Sequence, residues 1–258
     1  MKEQLFFAHA NGFPAEVYGE FFEYLKNYDL QHIPILAHGS YKLETSYDDV
    51  VPEIIDYIES NYKEPIWGIG HSFGASLLAS AAEQKPHLFK GLILIDPVIL
   101  SKTVRRIMRI LQLLNINHLF HPLAKKSRKR SDHFPSKEFA AYKLRNKTIF
   151  KRFSLKTFNN YIEYGFKKTQ NGVTLRFDKE IETKIFTLHP QSKKPIKLEV
   201  PSYFLYATEG DIADSRPIES ITYLYPNTKF IPLNGGHLFP LEEPKKCSKV
   251  VDDILNSH

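Results

Sequence analysis

The 258-residue chain holds a single cysteine, Cys247, and no apolar run approaching the roughly 18 residues a membrane-crossing helix needs. One thiol excludes an internal disulfide framework and suits a reducing compartment. After Met1-Lys2-Glu3 only Leu5 to Ala8 are apolar, too short for the core of a signal peptide. A cytoplasmic protein without a transmembrane segment is therefore expected. Histidines such as His118, His121 and His133 have no partner at metal-ligand spacing, so no metal site is expected. No internal repeat is present, and the one low-complexity tract is Lys125 to Arg130, read KKSRKR. That run is short and no nucleic-acid-binding module surrounds it, which argues against a nucleic-acid partner.

Charge is unevenly spread. Residues 101–199 contain 24 of the 35 Lys and Arg but 7 of the 29 Asp and Glu, a net +17 against −11 for the remainder. Such asymmetry marks two differently solvated parts. It coincides with a change of pattern: residues 1–100 and 200–258 alternate strands and helices, whereas 101–199 reads as a basic, mainly helical insertion. Within the insertion, Thr103 to Leu114 (TVRRIMRILQLL) places Ile107, Met108, Leu111 and Leu114 on one face beside arginines. A lid over a pocket and a peripheral membrane contact are both compatible with that helix.

Six apolar segments predict strands: Gln4–Ala8, Gln31–Ala37, Pro65–Gly70, Gly91–Ile95, Val200–Ala207 and Thr228–Leu233. Pro34 pushes the second towards a sheet edge. Helical periodicity falls to about Asn27 after the first strand, then over Thr45–Asn61, Phe73–Gln84, Pro217–Tyr225 and Glu242–Asn256. Strands alternating with helices and apolar on both faces predict a mostly parallel α/β sheet with helices on both sides.

Parallel strands end at one sheet edge, where loops distant in sequence meet. The third strand runs into Gly70-His71-Ser72-Phe73-Gly74, two glycines around one serine at a strand-to-helix junction. Alone, that junction is also compatible with an ordinary tight turn. The fourth strand ends at Asp96, the sixth at Gly235-Gly236-His237, and the first at His9-Ala10-Asn11-Gly12-Phe13. A serine needs a base to take its proton and a carboxylate to orient that base, and the chain order Ser, Asp, His fits this architecture.

With G-x-S-x-G, LILIDPV and a late GGH together, the sequence resembles the α/β-hydrolases over essentially its whole length. It resembles in particular capped bacterial serine hydrolases that open on AHANGFP, here Ala8 to Pro14. The first two strands of the full fold are missing and the cap is 101–199. The resemblance implies Ser72 as nucleophile and His237 as general base. It also implies an oxyanion hole from backbone N–H groups of Phe73 and of Asn11 or Phe13. The acid departs from the common pattern. Gly210 stands where many members place the carboxylate, leaving Asp96 (preferred) or Asp211 as alternatives, with Asp214 further on. His9 reads as holding the first loop, and His71 as packing beside the nucleophile. The expected activity is cofactor-independent hydrolysis of a small to medium carboxylic ester or thioester, neutral or anionic, through an acyl-enzyme. Carbon–carbon bond hydrolysis or lactone opening uses the same triad, and a non-catalytic binding module is the more distant alternative.

Overall fold

The structure is a computed structural model and describes residues 2–99, 102–114, 121–188, 196–210 and 218–258. Six strands form one sheet: β1 (Gln4–Ala8), β2 (Asp29–His32), β3 (Ile66–His71), β4 (Phe89–Ile95), and, beyond the insertion, β8 (Ser202–Ala207) and β9 (Lys229–Leu233). Their order is β2-β1-β3-β4-β8-β9 and every pairing is parallel. Successive side chains alternate between faces, as a pleated strand requires. Phe6, Leu92, Leu94 and Phe204 pack on one side, while Leu5, Phe7, Ile69, Ile93 and Leu205 pack on the other. Both faces are covered, so the strands read as nearly continuous apolar runs.

On the first face lie α2 (Val51–Asn61) and α3 (Phe73–Gln84), the latter alanine-rich so that it approaches β3 and β4 closely. On the second face lie α1 (Gly19–Glu23) and, at the end of the chain, α11 (Pro244–Leu255), which contributes Cys247, Val251 and Ile254. The expected helix over 45–61 is in two parts. A 3-10 turn, Tyr47–Val50, is capped by Ser46, and α2 follows with Pro52 in its first turn, where a missing N–H costs nothing. The second strand sits earlier than expected, pairing from Gln4↔Asp29 to Phe7↔His32. Pro34 lies beyond it, with its carbonyl accepting from Ala15 N–H instead of joining the sheet. Likewise Pro244 divides the closing helix into α10 (Phe239–Glu242) and α11.

The insertion contains α4 (Lys102–Leu113), α5 (Pro122–Lys129), α6 (Lys137–Leu144), α7 (Leu155–Tyr164) and α8 (Lys179–Thr187). It is not helical throughout. Strands β5 (His133–Phe134), β6 (Phe166–Thr169) and β7 (Gly172–Leu175) form a separate antiparallel sheet in the order β5-β7-β6. Thr169 pairs with Gly172 across a two-residue loop, and Val173 and Leu175 are buried in alternation. Helix α9 (Ile218–Leu224) packs near β8 through Tyr225, the residue after it. Among the described residues, no helix is long and apolar enough to cross a membrane.

Candidate active site

The junction between β3 and α3 is strained. Ser72 has φ 53° and ψ −113°, a conformation that non-glycine residues rarely hold and that persists only where the surroundings enforce it. The flanking glycines explain how. A Cβ on Gly70 would lie 2.6 Å from the Ala75 Cα, and one on Gly74 would lie 2.3 Å from the Ala8 carbonyl oxygen. Both obstacles are backbone, so neither can yield. The turn packs its own helix against β3 and against the end of β1, and Gly74 N–H donates to the His9 carbonyl at 3.2 Å. The Ser72 side chain is thereby lifted onto the sheet edge.

Asp96 is held in a similar way. It follows β4 with φ 46°, a second non-glycine residue in the left-handed region. Its N–H donates to the Leu205 carbonyl at 2.7 Å, and its Oδ1 accepts from Ala207 N–H at 3.1 Å, so the neighbouring strand β8 fixes the carboxylate. The other oxygen, Oδ2, lies 2.6 Å from His237 Nδ1, and His237 Nε2 lies 2.9 Å from Ser72 Oγ. Because an ionised carboxylate only accepts, Nδ1 carries the proton and Nε2 is left to accept from the serine hydroxyl. Asp96 is 1% exposed, whereas the His237 side chain is 22% exposed. The carboxylate is shielded and the imidazole faces the open side.

Ser72, Asp96 and His237 are thus in one hydrogen-bonded line, assembled from three loops at the same sheet edge. Asp211 and Asp214 lie outside the described residues, and Gly210 takes φ 88° with open space where a Cβ would stand.

The first loop stands beside the serine through Gly74 and His9. The Phe13 N–H donates to the Ala10 carbonyl at 3.3 Å, closing a turn within the loop, while its ring meets Phe153 and Tyr161 of the insertion. The N–H groups of Asn11 and Phe73 find no acceptor among the described residues. Asn11 is anchored by its side chain, which donates to the Glu182 carbonyl of α8 at 3.1 Å. Gly12, at φ 80°, has no room for a Cβ, which would meet Glu182 Oε1 at 2.6 Å. Glu182 is itself buried, with Ser127 Oγ donating to its Oε2 at 2.6 Å and the Arg130 guanidinium forming an ion pair with the same oxygen, Nη2 lying 3.0 Å away. Burial raises its pKa, and Arg130 and the Ser127 hydroxyl pull the other way. The insertion therefore presses directly on the loop beside the nucleophile.

Two further histidines are structural groups with defined partners. His9 donates from Nδ1 to the Ala10 carbonyl at 2.8 Å and accepts the Leu36 N–H on Nε2 at 2.7 Å. His71 does more than pack. Its Nε2–H donates to the His237 carbonyl at 2.8 Å, and its Nδ1 accepts from Tyr18 O–H at 2.7 Å. Tyr18 in turn accepts the Ala10 N–H at 3.3 Å. Burial pushes both His9 and His71 down to about 3, so both stay neutral. Nothing in the one-dimensional pattern pairs Tyr18 with His71, 53 residues apart.

A third contact ties the insertion to the histidine loop. Arg152 places Nη1 3.2 Å from Glu209 and Nε 3.2 Å from Glu242, with its guanidinium near the α-carbons of Gly235 and Gly236. Burial raises the Glu242 pKa and Arg152 opposes it. Among the described residues, no group of three or more His, Cys, Asp or Glu is placed to hold a metal ion.

Comparison with known proteins agrees with this geometry at the level of fold. The chain is 22% identical over 247 residues to Ethanol acetyltransferase 1 of Wickerhamomyces anomalus, covering 88% of this chain and 62% of that protein. It thus spans less than two thirds of that relative's length. Among solved structures it is similar to a thioesterase domain from the curacin biosynthetic pathway, with TM-score 0.72, 18% identity and coverage of 98% of this chain and 91% of that one. It is also similar to E-2-(acetamidomethylene)succinate hydrolase, with TM-score 0.75, 14% identity and coverage of 99% and 91%. Residues 5–250 match the model of the alpha/beta hydrolase family, and the chain belongs to that family.

Proposed function

We propose that the protein is a serine hydrolase that cleaves a carboxylic ester or thioester through an acyl-enzyme. The observation that carries the reading is the line Ser72 Oγ, His237 Nε2, His237 Nδ1, Asp96 Oδ2, with contacts of 2.9 and 2.6 Å. Ser72 Oγ attacks the carbonyl carbon while His237 Nε2 takes its proton, and Asp96 stabilises the imidazolium that forms. Charge on the tetrahedral oxygen is met by the N–H groups of Phe73 and Asn11, donors fixed before the reaction begins. The C–O or C–S bond then breaks as His237 returns the proton to the leaving alcohol or thiol. Water, deprotonated by the same Nε2, attacks the acyl-serine and releases the acid.

The acyl group is of small to medium size and apolar, in keeping with Phe13, Phe153 and Tyr161 gathered where the insertion meets the first loop. Release of p-nitrophenolate from p-nitrophenyl acetate and butyrate tests the reading. Turnover is expected with the wild-type chain and none with Ser72→Ala. Absence of turnover with esters and acyl thioesters of graded chain length would overturn it.

The similarity to an acetyltransferase supports a second outcome from the same acyl-enzyme. An alcohol in place of water would carry the acyl group away as a new ester. Adding ethanol to the assay and measuring ethyl ester against free acid separates transfer from hydrolysis.

A further inference from the structure

Helix α4 presents an apolar stripe outwards. Ile107 is 51% exposed, Ile110 58%, and Leu114, at the helix end, 61%. These residues are spaced i, i+3 and i+7 and so share one side of the helix; the face expected from the sequence is divided, since Met108 is buried while Ile107 and Leu114 are exposed and Leu111 is half-buried. Large branched side chains left in water along one line of a helix mark a surface that meets something other than water. Leu123, on the first turn of α5, is exposed as well.

The charge of the segment that carries this stripe is of one sign. Residues 102–130 contain nine Lys and Arg and no Asp or Glu. Arg106 is exposed, as are Lys125, Lys126, Arg128 and Lys129. Within 102–130, exposed aliphatics and exposed cations without an acidic residue suit a phase that is apolar below and anionic above. A nucleic acid would engage the cations and leave the aliphatics in water.

We infer that α4 and the basic face of α5 dock the protein on an anionic lipid bilayer. Ile107, Ile110 and Leu114 enter the boundary between headgroups and acyl chains, and the lysines and arginines meet the phosphates. The helix lies in the interface and does not span it. The docking itself does not depend on the catalytic reading.

Co-sedimentation of the full chain with phosphatidylcholine vesicles, and with vesicles that also contain phosphatidylglycerol, tests the inference. Binding is expected on the anionic vesicles, with weak binding on the neutral ones and loss as salt rises. Replacing Lys125, Lys126, Arg128 and Lys129 together by Gln is expected to lower partitioning by more than about a hundredfold, at about fivefold per charge. Ile107→Ser with Ile110→Ser should also release the protein at unchanged melting temperature. Equal partitioning of the wild-type chain on the two vesicle types would overturn the inference without recourse to a variant. So would full binding by the Ile107→Ser, Ile110→Ser protein, which would reduce the contact to charge alone. A lipid-free dimer that the same two substitutions dissociate, with no vesicle binding, would assign the stripe to a second copy of the chain and equally overturn it.

Discussion

His71 holds His237 by its backbone: the His71 Nε2–H donates to the His237 carbonyl at 2.8 Å, while Tyr18 O–H caps the other ring nitrogen. The residue before the serine thereby fixes the loop that carries the base, and Tyr18 links both to Ala10 of the first loop. Misplacement of a catalytic group by about 1 Å can cost about 10²-fold in rate. His71→Phe is accordingly expected to lower kcat by about that factor with KM little changed. His71→Gln, whose amide can donate to the same carbonyl, should recover part of the loss. Equal losses in the two variants, or a change confined to KM, would contradict the positioning role.

Asp96→Asn is expected to cut kcat by about 10⁴, the size of the effect when a triad carboxylate becomes an amide in serine proteases. With NH₂ facing Nδ1, the imidazole would carry its proton on Nε2 and could not accept from Ser72. Asp211→Asn should leave kcat within a few-fold of wild type. Steady-state kinetics on one ester compares them, and a crippled Asp211→Asn beside a near-normal Asp96→Asn would reverse the assignment.

The two neutral buried histidines predict acid sensitivity. Burial lowers both His9 and His71 from 6.5 to about 3. Between those values the unfolded chain binds more protons than the native one, so stability is full above about pH 6.5 and falls as pH drops towards 3. Each shift corresponds to on the order of 5 kcal/mol at its lower limit. Urea midpoints followed from pH 7 to about pH 4 should fall less steeply for His71→Phe than for wild type. Parallel pH profiles would show that His71 takes no part in the loss.

Gly74→Ala tests the turn itself. Its Cβ would stand 2.3 Å from a backbone oxygen of β1, an overlap removed only by moving the strand or the turn. Overpacking of this kind typically costs about 1–3 kcal/mol. A lower melting temperature and a loss of activity larger than that destabilisation explains are expected, since Ser72 would shift with the turn. Wild-type values for both would mean that the turn has slack the geometry does not reveal.

Much of this was legible in the sequence because it rests on local chemistry. Continuous apolar runs such as GLILI need two covered faces, and a serine between glycines at a strand end needs a sharp turn. The hidden parts depend on tertiary partners. The second strand sits earlier than expected because its pairing with β1 sets the register, and Pro34 does not join that pairing. The hairpin of β6 and β7 is four residues a side among lysines, too short for its alternation to stand out from helical pattern, although Asn171-Gly172 sits at its turn. The roles of Tyr18, Arg152 and Glu182 follow from contacts across 53 to 171 residues of chain and leave no periodic trace. Asp96 was one of two acids open to the sequence, and its carboxylate lies against the His237 imidazole.

The most direct test is labelling with a fluorophosphonate followed by mass mapping of the adduct. Its phosphorus takes the place of the ester carbonyl and is captured by an activated serine alone. One adduct on the peptide carrying Ser72 is expected, lost in Ser72→Ala and strongly slowed in His237→Ala. An adduct on any other residue, or labelling of Ser72 that does not depend on His237, would contradict the account.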